Sequence, residues 1–251
     1  MIALRASITF AGLIVLWQAI VTITDLPHYL LPSPMRVAAT LIERSDVLWE
    51  NTLITVLEIV LGLILGVACG AICSLTLMAS RLARRWLMPV LLASQAIPTF
   101  AIAPLLVLWF GYGLASKIVM TVIVIFFSVA SAFYDGLRRT DPAWLDLAQT
   151  MTARPARVLW FLRVPAALPS LATGIRVASV FAPIGAIIGE WVGASRGLGY
   201  LMLQSNARMQ IDMLFAALLV LAVFAVALYA LVDRALRRLI SWDADRLPAE
   251  D

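Results

Sequence analysis

The chain has 251 residues, 63% hydrophobic and only 14% charged, whereas soluble domains are about half apolar and about a quarter charged, so the composition excludes an ordinary water-soluble fold and makes the bilayer the solvent. The formal charge of +4 rests almost wholly on arginine, and the arginines sit between apolar runs, which reads as membrane topology and excludes a nucleic-acid surface. Lys117 is the one lysine and lies outside any glycine-rich loop ending in Lys-Ser/Thr; such a nucleotide site is therefore excluded, and energy must come from a partner or a gradient.

A helix needs ~20 mostly apolar residues to cross the hydrocarbon core. Six stretches qualify, at 6–24, 53–78, 86–110, 117–134, 168–189 and 213–232. The fold class expected is all-α, a single polytopic membrane domain over 1–251. The first stretch follows Arg5 and precedes "TDLPHYLLPSP", without a small-x-small cleavage site; a retained span is expected rather than a signal peptide. Span two carries Glu58 in its first turns and glycines at Gly62, Gly66 and Gly70. Four-residue spacing leaves one helix face free of side chains, so another backbone can approach closely. Cys69 and Cys73 share this run with no third thiol nearby, and His28 is remote, so no metal site is expected. The third span contains Pro98 and Pro104, one turn and more beyond Gln95. Each proline frees a helical carbonyl, so a kink is expected; it either lines a pathway together with Gln95 or serves packing alone. Gly111 and Gly113 form a tight hairpin to the fourth span.

Arginines collect after span two (Arg81, Arg84, Arg85), between spans four and five (Arg138, Arg139, Arg154, Arg157, Arg163) and after span six (Arg234, Arg237, Arg238). Six crossings put these clusters on one side with Arg5, so both termini are read as cytoplasmic. Arg36, Arg44, Lys117, Arg196 and Arg208 fall outside, offset by acids that include Glu50, Glu190 and Asp212. Arg176, eleven residues past Pro165 at ~1.5 Å per residue, lies about half-way across span five. It has either a structural partner or a pathway role. Glu58 and Glu190 fall near the outer interface, where a solvated position competes with a substrate role. A second ladder, Gly185, Gly189, Gly193 and Gly197, closes this span and runs beyond it; the external connection 191–212 is long, with room to fold back toward the membrane.

The stretch "DLAQTMTARPARVLWFLRVPAALPS" places an acid, three arginines and three prolines between two apolar spans. A short helix over 146–151 is expected, then a second helix opened by Pro155, whose missing N–H costs nothing in a first turn, and stopped by Pro165. The pair is either an amphipathic segment lying on anionic lipid or a knob for a cytoplasmic partner. Here the chain resembles the permease subunits of binding-protein-dependent ABC importers. Their cytoplasmic motif runs Glu-Ala-Ala, three residues, Gly, nine residues, Ile-x-Leu-Pro. Counting back from Pro165 places Asp146, Leu147 and Ala148 at Glu-Ala-Ala, Thr152 at the glycine, Leu162 at the isoleucine and Val164 at the leucine. Spacing fits throughout, while Asp146, Leu147 and Thr152 depart in identity; Thr152 is read as a cap for the second helix.

"LLPSP", "IPTFAIAPLLVLWFGYG" and "GEWVGASRGLGYL" are similar to the nitrate, sulfonate and taurine branch of these permeases. "WFGYGLASK" and "QSNARMQIDMLFAAL" resemble permeases for the pyrimidine precursor of thiamine. The resemblance implies an inner-membrane subunit with no cofactor and no chemistry of its own. It implies two copies forming the pore, two ATPase subunits gripping the elbow at 146–165, and a periplasmic or lipoprotein substrate-binding protein. The implied solute is a neutral nitrogen heterocycle such as hydroxymethylpyrimidine, with sulfonate, taurine or nitrate as the alternative. A secondary carrier driven by protons or sodium is a reading of another class. It needs a buried acid deep in the bundle, and spans one, three, four and six have none in their middle. A scaffold role explains the glycine ladders and leaves the elbow spacing unexplained.

Overall fold

The computed structural model describes residues 2–25, 27–240 and 242, without the side chains of residues 2–7 and 10; the ends read as cytoplasmic, residue 1 and 243–251, lie outside the described residues. Every regular element among them is helical. The helices are α1 (Ile2–Thr24), α2 (Pro34–Glu43), α3 (Ser45–Ala79), α4 (Arg81–Ser94), α5 (Thr99–Phe110), α6 (Leu114–Arg138), α7 (Pro142–Thr150), α8 (Pro155–Val158), α9 (Val164–Gly193), α10 (Leu198–Ala207) and α11 (Ile211–Leu239). Local chemistry sets several boundaries. Ser33 caps α2, with Pro34 in its first turn. Ser80 is extended, closes α3, and accepts from the Ala83 N–H to open α4. Asp141 accepts from the Ala143 N–H at 2.8 Å, so α7 starts before the stretch the sequence reading assigned to it.

Four helical stretches are long and apolar enough to span a membrane, 45–79, 114–138, 155–193 and 211–239, and α4 with α5 makes a fifth if the bent pair is one span. The described apolar part of α1, Ala11–Thr24, is shorter than a span. The expected third span at 86–110 is not one kinked helix. It is two helices meeting at 105°, broken at 95–98. Pro98 causes the break, since it lacks the N–H that would continue the ladder and pushes the preceding residue out of helical backbone. Pro104 lies inside α5 without ending it.

The core is built around α6. On one side α3 presents Gly62, Gly66 and Gly70 to Thr121, Ile125 and Val129. On the other, α9 presents Gly174, Gly185 and Gly189 to Val129, Thr121 and Lys117. Residue numbers rise together along the α3–α6 contact and oppose each other along the α6–α9 contact, so α3 runs parallel to α6 and α9 antiparallel. Parallel packing of α3 and α6 requires the chain between them to return across the bundle, and α4 with α5 makes that return. Ala178, Ala182 and Ala186 of α9 are fully buried against Ile59, Ile125 and Val129, small residues where helix axes close up. Gly193 faces Val107 of α5, and Gly197 has left the helix altogether with φ +116°. The second ladder therefore does not form one continuous packing face.

Candidate functional site

At one end of the bundle, four helices converge on a buried polar node. Glu58 and Glu190 have 0% and 1% of their surface exposed, and Lys117 has 5%. The solvated position considered for Glu58 and Glu190 is therefore not the one they take: neighbouring helices cover both, and Lys117 with them. Lys117 Nζ lies 3.3 Å from Glu58 Oε1, bringing α6 and α3 together by charge. Glu190 faces the start of α10, and its carboxylate accepts from the backbone N–H groups of Gly199 and Tyr200. The Thr55 hydroxyl donates to Glu190 Oε1 at 2.6 Å and accepts from the Leu198 N–H at 2.8 Å. Asn51 Oδ1 accepts from the Gly197 N–H at 2.7 Å.

The first N–H groups of a helix have no partner within it. Those of α10 are met by side chains of α3 and α9, with an anion placed where the helix dipole is positive. Lys117 pairs with Glu58 and the α10 N-terminus with Glu190, and the two carboxyl groups are themselves neighbours, so the node is one connected cluster. A Cβ at Gly197 would run into the Glu190 carboxylate, so glycine is required both for this close approach and for its positive φ.

Arg176 has a structural partner. Its Nε donates to Asp233 Oδ1 of α11 at 2.8 Å, and Arg237 Nε donates to Asp233 Oδ2 at the same distance. Asp233 thus ties α9 to α11 near the end that carries Arg234, Arg237 and Arg238. Gln95, Pro98 and Pro104 are all exposed on this single chain, with the apolar Ile97, Phe100, Leu108 and Trp109 beside them.

The elbow lies at the arginine-rich end. Between α7 and α8 the chain turns through Thr152 at φ +51°, the position that matches the family's glycine. Left-handed backbone costs a non-glycine residue ~1–2 kcal/mol, and a β-branched one is an outlier there. Thr152 does not cap the second helix as expected. Arg154 stands at that N-cap, without a side-chain bond.

Pro165 does not end the helix either. From Pro155 to Gly193 the chain is one helical stretch, made possible by a π-turn over Leu159–Arg163 in which the Val164 N–H reaches back to Leu159 O. Proline cannot donate to the carbonyl four residues back, and the widened turn absorbs the missing bond and the bulk of the ring. No residue of α7, α8 or the π-turn is buried. Asp146, Leu147, Thr152, Pro155 and Pro165 are exposed; Ala148, Leu162 and Val164 are half-covered. Two clefts of 640 and 850 Å³ flank the turn, and Ala148, Ala153 and Val158 line both. Arg163 anchors the elbow by donating from Nη1 to Leu137 O at 3.0 Å, at the end of α6. Trp144, Leu147, Met151 and Phe161 project from it with 51% to 80% of their surface open. A polar segment with this much exposed apolar surface fits a protein-binding knob.

The family model for the inner-membrane component of binding-protein-dependent transport systems matches residues 59–241, well over half of the chain. The chain belongs to this family. A probable ABC transporter permease protein of Haemophilus influenzae is 54% identical over 228 residues, 91% of this chain and 93% of its own length. The formylaminopyrimidine transport permease ThiX of Halalkalibacterium halodurans is 36% identical, covering 96% of each chain. The riboflavin transport permease RibX of Chloroflexus aurantiacus is 36% identical over 96% of this chain and 91% of its own. The taurine transport permease TauC of Escherichia coli is 28% identical over 94% and 89%. These relatives place the chain in the nitrate, sulfonate and taurine branch, with similarity to thiamine-precursor permeases. The fold also matches the inward-facing methionine ABC transporter MetNI, at a TM-score of 0.62 and 19% identity over 80% of this chain and 97% of that one. The protein is thus an ABC permease subunit of the inner membrane.

Proposed function

We propose that this permease imports a neutral aromatic nitrogen heterocycle such as hydroxymethylpyrimidine, driven by ATP hydrolysis in partner subunits. The observation that carries the reading is the exposed elbow, in a chain with no nucleotide site of its own. Two ATPase subunits grip it around Ala148 and the apolar residues beside it, and their closure rocks the α6–α9 core to which Arg163 fastens it. Elbow and arginine clusters share one end of the bundle, which is the cytoplasmic end by the positive-inside bias, and by the same bias we read both termini as cytoplasmic. The opposite end, with α2 and α10, receives the substrate-binding protein. A second copy of the chain completes the pathway along the α4–α5 break at Gln95 and Pro98, the surface one chain leaves open. The buried acids a secondary carrier would need are present, Glu58 and Glu190, but Glu58 is met by Lys117 and Glu190 by the start of α10, which favours the ATP-driven reading over a secondary carrier.

A heterocycle is favoured because ThiX and RibX are both named for one, and both are more similar to this chain than TauC. Sulfonate or taurine is the alternative that TauC supports. In a strain unable to make the thiamine pyrimidine, rescue by low external hydroxymethylpyrimidine is expected to require this gene. Unaffected rescue, together with lost growth on taurine as sole sulfur source, would establish the alternative.

Asp146→Lys and Ala148→Trp test the coupling role. Both sites lie outside the core, so folding and membrane insertion are expected to be unchanged. Uptake is expected to fall at least tenfold, with solute-stimulated ATP hydrolysis lost. Normal uptake in both variants would remove the elbow from the mechanism.

A further inference from the structure

We infer that Glu190 is a positioning residue for transport: it locks the external helix α10 to the moving core, so that docking of the binding protein is felt by α3, α6 and α9. The inference rests on the proposed importer function, and it assigns a role to a buried node that the elbow mechanism leaves unused. α10 meets the core through a short connection and is fixed at its start by side chains of two other helices: Asn51 and Thr55 from α3, far away in sequence, and Glu190 from α9, just before the connection. Backbone N–H groups of four consecutive residues, 197 to 200, all donate into this cluster. Leu198, Leu201 and Met202 bury the apolar side of α10 against Ile187 of α9 and Met213 of α11. α10 therefore shifts with the ends of α3 and α9 as a rigid piece.

What α10 carries outward is a polar cleft of 600 Å³, where Gln204 and Arg208 face Arg36, Arg44, Glu43 and Asp212, three guanidinium groups against two carboxylates. Arg36 is held by Asp212 at 3.3 Å, whereas Arg44 and Arg208 form no ion pair among the described residues. The cleft thus offers two uncommitted guanidinium groups, suited to carboxylates on the docking face of a binding protein. Glu58 and Lys117 complete the device. The ion pair pins α6 beside the same node, so a displacement of α10 reaches the helix at the centre of the bundle.

The test compares the wild-type complex, purified with its ATPase, with Glu190→Gln and Thr55→Val. Glutamine keeps shape and removes the charge that faces the α10 N-terminus; valine keeps shape and removes the bridging hydroxyl. Thr55→Ser restores the hydroxyl and serves as the rescue. Hydrogen exchange of the amides at 197–200 is expected to quicken at least tenfold in Glu190→Gln and Thr55→Val and to stay slow in Thr55→Ser. Basal ATP hydrolysis is expected to remain within twofold of wild type. Stimulation by binding protein loaded with hydroxymethylpyrimidine is expected to be lost in the first two variants and kept in the third. Unchanged exchange in Glu190→Gln, or full stimulation despite quickened exchange, would overturn the inference. Failure of the wild-type chain to associate with any ATPase would sink the importer reading instead, and the exchange measurement would still decide whether the lock exists.

Discussion

Replacing Lys117 with methionine is expected to destabilise the protein by about 3–5 kcal/mol, the range for removing one partner of a buried ion pair. Glu58 is fully buried, and Lys117, at 3.3 Å, is its charge partner. Its two carboxylate oxygens have no hydrogen-bond partner, so nothing else is in place to hold the charge once the ammonium is gone. The cost arises from the stranded carboxylate rather than from lost attraction, which gives the experiment a second arm. Lys117→Met combined with Glu58→Met replaces the pair by apolar groups of similar length, and such replacements are often neutral. Thermal unfolding in detergent is expected to show a large loss in the single variant and recovery of most of it in the double. A single variant as stable as wild type would mean that the pair does not hold α3 to α6.

The second large effect is expected at Gly185. A Cβ there would stand 2.8 Å from Thr121 Cα and 3.3 Å from Val124 Cβ. The nearer atom is backbone and cannot rotate away, and Thr121 is already pressed from the opposite side by Gly62. Gly185→Leu must therefore force α9 away from α6, at a cost at or above the ~1–3 kcal/mol usual for overpacked cores. Gly66→Ala is expected to be milder, because its single new methyl meets side-chain atoms of Ile125, Cδ1 at 2.5 Å and Cγ1 at 2.6 Å, rather than backbone. Gly12→Ala is the control. Nothing lies within 4 Å of its Cβ, and alanine favours a helix over glycine by ~1 kcal/mol. Yield and thermal stability in detergent are expected to fall in the order Gly12→Ala, Gly66→Ala, Gly185→Leu. A Gly185→Leu variant matching wild type would show that the helices are not in backbone contact there.

The parts of this fold that were legible in the sequence are those written in local pattern. Apolar runs of span length correspond to α3, α6, α9 and α11, and four-residue glycine spacing marks faces of α3 and α9 that lie on α6. Proline was harder to read, because one residue type has several outcomes. Pro98 breaks the chain through 105°, Pro104 is absorbed within α5, and Pro165 is accommodated by a π-turn that no local sequence rule announces. Thr152 was misjudged in kind. Its spacing matched a glycine position, and glycine there means positive φ; the structure gives Thr152 that backbone rather than a capping role.

The buried node was the least legible part. Glu58, Lys117 and Glu190 lie on three helices, and no spacing connects them. Counting charges by loop placed Lys117 outside, although a lone lysine at the start of an apolar span, in a chain otherwise basic through arginine, was a signal available to be used. Asp233 was passed over for a similar reason. It reads as part of a solvated charged end, and only packing brings it to Arg176, 57 residues away.

The central claim is that this chain converts a partner's ATP hydrolysis into import. The direct measurement is uptake into proteoliposomes holding the purified complex, with labelled hydroxymethylpyrimidine and its binding protein outside. ATP is enclosed in one set of vesicles and replaced in another by an imposed proton or sodium gradient. Uptake is expected only with enclosed ATP and added binding protein, and it should be lost in Asp146→Lys. Accumulation driven by either gradient in the absence of ATP would contradict the account and identify a secondary carrier.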